Sequence, residues 1–249
     1  TQLTSAMLFN AGMVTRLGMV DEGTTVTDFD EEAIERKHTL SANLAYAEWN
    51  KTKINIIDTP GIANFLSEAK AALSVSDAAV VVVDAVAGVE VQTEKTWAAA
   101  EELGIPRVIV LNLLDRERAS LERSLAALRE VLGRTIVPLQ LPLGKEQSFR
   151  GVVDLVAMKA LVFTPGDHGK PSVEEIPDDI ADSAKTARDA LIEMVAEADD
   201  TLMERFFDTG TLTQKELEGG LRTAVIAGQF VPLLCTSATL NIGIAPLLD

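Results

Sequence analysis

A unit repeated along the chain constrains its fold most: a short apolar run, a cluster of small or polar residues directly after it, and then a helical stretch. Residues 54–57 run into Asp58-Thr59-Pro60-Gly61 and a helix from about Asn64. Residues 78–83 run into 85–88 and a helix that contains Trp97. Residues 107–111 run into Asn112-Leu113-Leu114-Asp115 and a helix that reaches Leu132. A last run, 231–235, leads into Thr236-Ser237-Ala238-Thr239. Strands of continuous apolar character have no solvated face, and helices between them bring successive strands into parallel. The fold class is therefore α/β: a mostly parallel sheet with helices on both faces. Ligands in such sheets bind beyond the carboxyl ends of the strands, and the polar clusters fall there.

Elsewhere the pattern changes. Residues 1–11 read as a helix with Leu3, Met7 and Leu8 on one side, and 12–29 as a loop broken by Gly18 and Gly23. Residues 30–37 are a charged run ahead of Thr39. Residues 45–49 and 54–57 read as strands around a turn at 50–53. Between 137 and 229 the alternation is lost: 149–163 reads as strands, 177–209 as acidic helix, and 214–227 as a further helix. The prediction is a main domain from 1–148 and 229–249, with 149–228 inserted as a small α+β subdomain. Aromatic residues are only 4% of the chain, so its core has to be built from Val, Leu, Ile and Ala.

Charge and cysteine content narrow the function. Acidic residues outnumber basic ones 38 to 22, for a net charge of −16. Direct binding to nucleic-acid backbones needs the opposite balance; a basic protein partner suits it better. The plainer reading is that the charge keeps the protein soluble. The single cysteine, Cys235, rules out a disulfide within the chain and a multi-cysteine metal site, which fits a cytoplasmic protein. No apolar stretch approaches the ~18 residues a membrane span needs.

The strand-end clusters carry the chemistry. A carboxylate such as Asp58 at a strand end can hold Mg²⁺ through a water, and Gly61 lets a backbone N–H approach a phosphate closely. The alternative is that Pro60-Gly61 is merely a turn. Asp115 can accept from the N1–H and the N2 amine of guanine, a donor pair adenine lacks; equally, it can be the N-cap of the next helix. Backbone N–H groups of 236–238 can meet the guanine O6, although small residues after a strand are common.

In this order, Asp-x-Pro-Gly, Asn-x-x-Asp and Ser-Ala-x resemble the signatures of P-loop GTPases. The closer resemblance is to the elongation factor G family of translational GTPases, and it runs through essentially the whole chain. Asp21-Glu22-Gly23-Thr24 and Thr27-Asp28-Phe29 resemble that family's approach to its first switch, and Arg36-Lys37-His38-Thr39-Leu40 its Arg-Gly-Ile-Thr-Ile element. Ile54 to Gly61 is nearly a direct copy, and Gly88 to Glu94 with Trp97 follows the same pattern. Leu139 to Gly144 and Phe149 to Leu155 resemble the entrance to the family's insertion.

The resemblance implies a domain that binds GTP or GDP with Mg²⁺ and hydrolyses GTP on the ribosome. Thr1, Thr39 and Asp58 are the implied Mg²⁺ residues. The Gly61 N–H would contact the γ-phosphate, while Asn112, Asp115, Ser237 and Ala238 would read guanine. The acidic run Glu193, Glu197, Asp199 and Asp200 would face the ribosomal stalk protein, or is only a solvated face. Two other readings remain: a GTP-gated ribosome ligand that does not turn over, and a ribosome-protection factor, against which the long insertion argues.

Departures from the family pattern qualify these expectations. The resemblance puts Thr1 at the final Thr of the phosphate-loop motif, so the loop and its strand are expected upstream. A piece lacking that strand would fold poorly or bind nucleotide weakly. Ile62 stands where the family has the His that helps position the attacking water, leaving the catalytic residue unknown. Leu113 replaces the Lys that packs on the base, and Lys37 replaces a Gly in the first switch.

Overall fold

The computed structural model describes residues 1–249 except Arg134, Pro165 and Asp167. In chain order its elements are α1 (Gln2–Asn10), α2 (Glu31–Arg36), β1 (Asn43–Trp49), β2 (Thr52–Asp58), α3 (Leu66–Leu73), β3 (Ala79–Asp84), α4 (Val91–Glu102), β4 (Arg107–Asn112) and α5 (Leu121–Leu132). There follow β5 (Ile136–Pro138), β6 (Gln140–Leu143), β7 (Gly151–Asp154), β8 (Lys159–Val162), β9 (Ser172–Glu174), α6 (Asp178–Glu197), α7 (Asp200–Thr209), α8 (Gln214–Ile226), β10 (Val231–Cys235) and α9 (Ile244–Leu248).

The apolar runs form a parallel four-stranded sheet in the order β3-β4-β10-β5. Its helices cover both faces at β4, while Val80 and Val82 of the edge strand β3 are exposed. Ile109 and Leu111 point to one side, with Val83, Trp97 and Leu128. Val110 points to the other, with Leu3, Ala6 and Met7 of α1 and Ile244 and Leu248 of α9. Strand alternation thus divides one apolar run between two cores. The register pairs Asp84 with Asn112 and Leu111 with Cys235, so the strand ends carrying the polar clusters lie side by side.

The strand at 54–57 does not join this sheet. Among the described residues β2 pairs only with β1, antiparallel, in a two-stranded sheet of its own. The hairpin itself is set locally: Asn50 and Lys51 adopt φ of 46° and 64°. Two successive left-handed residues close a tight hairpin whose twist matches its strands.

A second, antiparallel sheet has the order β6-β7-β8-β9. Its first strand, Gln140–Leu143, lies ahead of position 149. Leu139 links the sheets: its N–H donates to Leu233 O on the parallel side, and its carbonyl accepts from Leu155 N. The buried Gln140 reinforces the junction, its Oε1 accepting from Cys235 N at 3.0 Å. Leu143, Val153 and Leu155 of this sheet pack with Leu191, Val195 and Leu217 of α6 and α8 as a separate core. Cys235 is fully buried, and burial pushes its thiol up well beyond the ordinary range, so it is a core residue and not a nucleophile.

Candidate nucleotide-binding site

Thr1, Thr39 and Asp58 come from the start of α1, the loop after α2 and the end of β2, and the fold brings them together. The Thr1 and Thr39 hydroxyls are hydrogen-bonded to each other. The Thr1 nitrogen donates to Asp58 Oδ1 at 3.0 Å. A fourth member, not singled out in the sequence as a site residue, is Thr27, whose hydroxyl donates to Asp58 Oδ2 at 2.5 Å. Thr39, Asp58 and Thr27 are all buried. Beside Thr27, Asp28 is 4% exposed with an Oδ1 that meets no donor. Hydroxyl and carboxylate oxygens concentrated in this way form a hard donor set, and hard oxygen donors suit Mg²⁺.

Gly61 and Ile62 follow β2. Gly61 is exposed, and a Cβ built there meets no other atom within 4 Å, so packing within the chain does not require glycine at this position. Ile62 is half-buried in extended backbone (φ −91°, ψ 144°), where it starts the 3-10 turn that leads into α3. From α3, Glu68 accepts from Ala42 N at 3.1 Å, tying this segment to the chain entering β1. Lys37 takes the left-handed conformation (φ 56°) that closes α2. That is a conformation glycine adopts without strain and lysine does not.

At the other end of the site, Asn112 organises two loops. Its Oδ1 accepts from Thr236 Oγ1 at 3.1 Å and from Ala238 N at 2.9 Å. Ser237 is locked by reciprocal bonds with Ile242, at 3.0 and 2.9 Å. The N–H groups of Thr236, Ser237 and Ala238 are therefore engaged by Leu111 O, Ile242 O and Asn112. Gly243 permits the close return of this loop: a Cβ there would stand 2.3 Å from Cys235 O.

Asp115 behaves differently. The helix after it starts at Leu121 and is capped by Ser120, whose Oγ accepts from Arg123 N. Asp115 is thus not that helix's N-cap. Its Oδ1 is buried with no hydrogen-bond partner. Just before it, Leu113 has φ of 64°, an outlier for a bulky side chain. An unpaired buried carboxylate oxygen costs on the order of 1–3 kcal/mol or more, and strained backbone of this kind concentrates at ligand sites.

Comparison with known proteins gives this geometry a family. The Elongation factor Tu GTP binding domain family matches residues 1–249. The chain belongs to that family. As such a GTP-binding domain it is similar to Elongation factor G of Gluconobacter oxydans (strain 621H), at 40% identity over 250 residues, covering 100% of this chain and 36% of that protein. Elongation factor G of Thermotoga neapolitana (strain ATCC 49049 / DSM 4359 / NBRC 107923 / NS-E) is 38% identical over 249 residues, again across the whole domain and 36% of the relative. A crystal structure from Thermus thermophilus superposes with a TM-score of 0.92 at 34% identity, covering 100% of this domain and 37% of that chain. The domain thus spans little more than a third of the length of these relatives. No helix among its described residues is long and apolar enough to cross a membrane.

Proposed function

We propose that this domain binds GTP and GDP with Mg²⁺, and that it is the switch-bearing part of a cytoplasmic translational GTPase acting on the ribosome in the manner of elongation factor G. The observation that carries the reading is the unpaired, buried Asp115 Oδ1 beside a loop already fastened by Asn112. A guanine base supplies the missing donors through N1–H and its N2 amine. Asn112 then acts by holding the 236–238 loop against the base, and Ser237 and Ala238 shape that wall.

Thr1, Thr39 and Asp58 would hold Mg²⁺ at the opposite end, where the open space at Gly61 admits a phosphate to its N–H. When bound, Mg²⁺ neutralises phosphate charge and helps orient the terminal phosphoryl group. Thr39 ties the first switch to that end, so loss of the γ-phosphate would release it.

Ile62 offers no polar atom to an attacking water. Intrinsic hydrolysis is therefore slow, and stimulation depends on groups supplied by the ribosome. A second reading rests on the same residue: a GTP-gated ribosome ligand with no turnover. The acidic helices α6 and α7, with Glu193, Glu197, Asp199 and Asp200, form the surface proposed to meet the ribosomal stalk protein.

GTP turnover by the full-length protein, with and without ribosomes, separates the two readings. Strong stimulation identifies a working GTPase. Tight GTP binding without stimulated turnover identifies the gated ligand. Ile62→His raises turnover if the missing imidazole is what limits it.

A further inference from the structure

We propose that Thr27 is a positioning residue for the Asp58 carboxylate and, through it, a second latch on the first switch; this rests on the nucleotide-site reading above. Thr27 is 2% exposed, and its hydroxyl donates to Asp58 Oδ2. A carboxylate can accept about four hydrogen bonds in all. Both oxygens therefore keep a lone pair for a cation-bound water, while the Thr27 donor restrains the rotation of the group. Charge-assisted bonds of this kind are shorter and stronger than neutral ones.

The position of Thr27 in the chain gives the contact a second role. Thr27 and Thr39 stand on either side of α2, and both end at the same cluster, one on Asp58 and the other on Thr1. The segment between them carries α2 and the left-handed Lys37. It is therefore clamped at both ends. Thr39 holds the end after α2, and Thr27 holds the end before it. With both latches engaged, the order of this segment is coupled to the same carboxylate that would support the cation.

The test uses the full-length protein, a fluorescent GDP or GTP analogue, and a Mg²⁺ titration. Thr27→Val keeps the side-chain shape and removes the donor. It should raise the Mg²⁺ concentration for half-maximal nucleotide retention about tenfold, the effect expected from losing one hydrogen bond to a charged group. Thr27→Ser should stay within about twofold of the parent, because the hydroxyl is retained. Nucleotide affinity in excess chelator should be the same in parent and variants, whereas general damage to the fold would lower it with and without Mg²⁺ alike.

An unchanged or lower Mg²⁺ midpoint in Thr27→Val overturns the latch, as does a Thr27→Ser variant that behaves like Val. If Thr27→Val does not fold, the Thr27→Ala and Thr27→Ser pair gives the same comparison. A parent protein with no Mg²⁺-dependent nucleotide retention overturns the nucleotide-site reading itself, and the latch with it.

Discussion

In and around the candidate nucleotide site several buried polar side-chain atoms have no hydrogen-bond partner; among the described residues of 149–228 none is left so. Asp28, Thr25 and Asp115 each bury a polar atom with no hydrogen-bond partner, as do Ser5, Gln92 and Arg107, the last of which is ion-paired with Glu101, and none of these lies in 149–228. Across that region the Arg188 guanidinium donates to Leu155 O and Val156 O, both at 2.6 Å, and to Gln214 Oε1 at 3.0 Å. Burial lowers the pKa of this guanidinium, with Asp154, Asp189 and Glu218 acting in the opposite sense. The starts of α7 and α8 are capped by side chains as well: Asp199 accepts from Thr201 N and Leu202 N, and Thr213 exchanges bonds with Glu216. An unsatisfied buried group costs about 1–3 kcal/mol. Asp115 and Asp28 carry that cost at or beside the candidate site, where a ligand would offset it, whereas no such side-chain atom is found among the described residues of 149–228.

The comparison breaks most visibly at Asp115. Asp115→Asn in the full-length protein should weaken GTP binding by on the order of 100-fold or more, because the carboxylate's charge-assisted bonds are lost. It should also shift preference towards xanthine nucleotides. A fluorescent-nucleotide competition assay reads both, and unchanged guanine preference would remove Asp115 from base reading.

The opposite pattern is expected in the second core. Leu191, 1% exposed between the antiparallel sheet and α8, should cost about 2–5 kcal/mol of stability when cut to Ala. Denaturant unfolding measures that loss, and nucleotide affinity of the protein that remains folded should not change. A large loss of affinity would mean that the halves are coupled and the contrast is wrong.

Arg188→Ala should destabilise by roughly 2 kcal/mol, leaving the Leu155 and Val156 carbonyls without their donor. Arg188→Lys should recover only part of this, since an ammonium cannot reproduce the planar fork. The smallest effect is Thr213→Ala, about 1 kcal/mol from the lost cap of α8.

The cap also has a pH signature. Bonds from the Thr213 hydroxyl and backbone hold the Glu216 carboxyl below its ordinary value of 4.5. Its stabilisation is fully present above that value and fades as pH falls through the lowered one. Thr213→Ala should reduce this part of the acid dependence of unfolding, since the hydroxyl is lost while the Thr213 N–H and Arg205 still bond Glu216, with no change near neutral pH beyond the lost cap.

Much of the site was legible in the chain. The apolar runs at 78–83, 107–111 and 231–235 became β3, β4 and β10 almost residue for residue; continuous burial leaves β4 and β10 one stable role, whereas β3 exposes Val80 and Val82. Their trailing residues fell at adjacent strand ends for the same reason. The partner of Asp58 was not legible. Thr27 lies 31 residues away in a loop with no periodic signal, and only the folded path brings its hydroxyl to Oδ2. The strands at 45–49 and 54–57 around a turn at 50–53 were legible too, and they pair as a hairpin.

Local composition decided which segments are strands and helices, that strand ends would carry the polar chemistry, and that the family signatures stand in order. Those properties depend on side-chain periodicity and residue type within a few positions. Tertiary structure alone decided that β10 inserts between β4 and β5, that Ser120 and not Asp115 caps α5, and that Thr1, Thr27, Thr39 and Asp58 share one cluster. Each of these is a contact between distant segments, and its energy exists only once both partners have been desolvated in the same place.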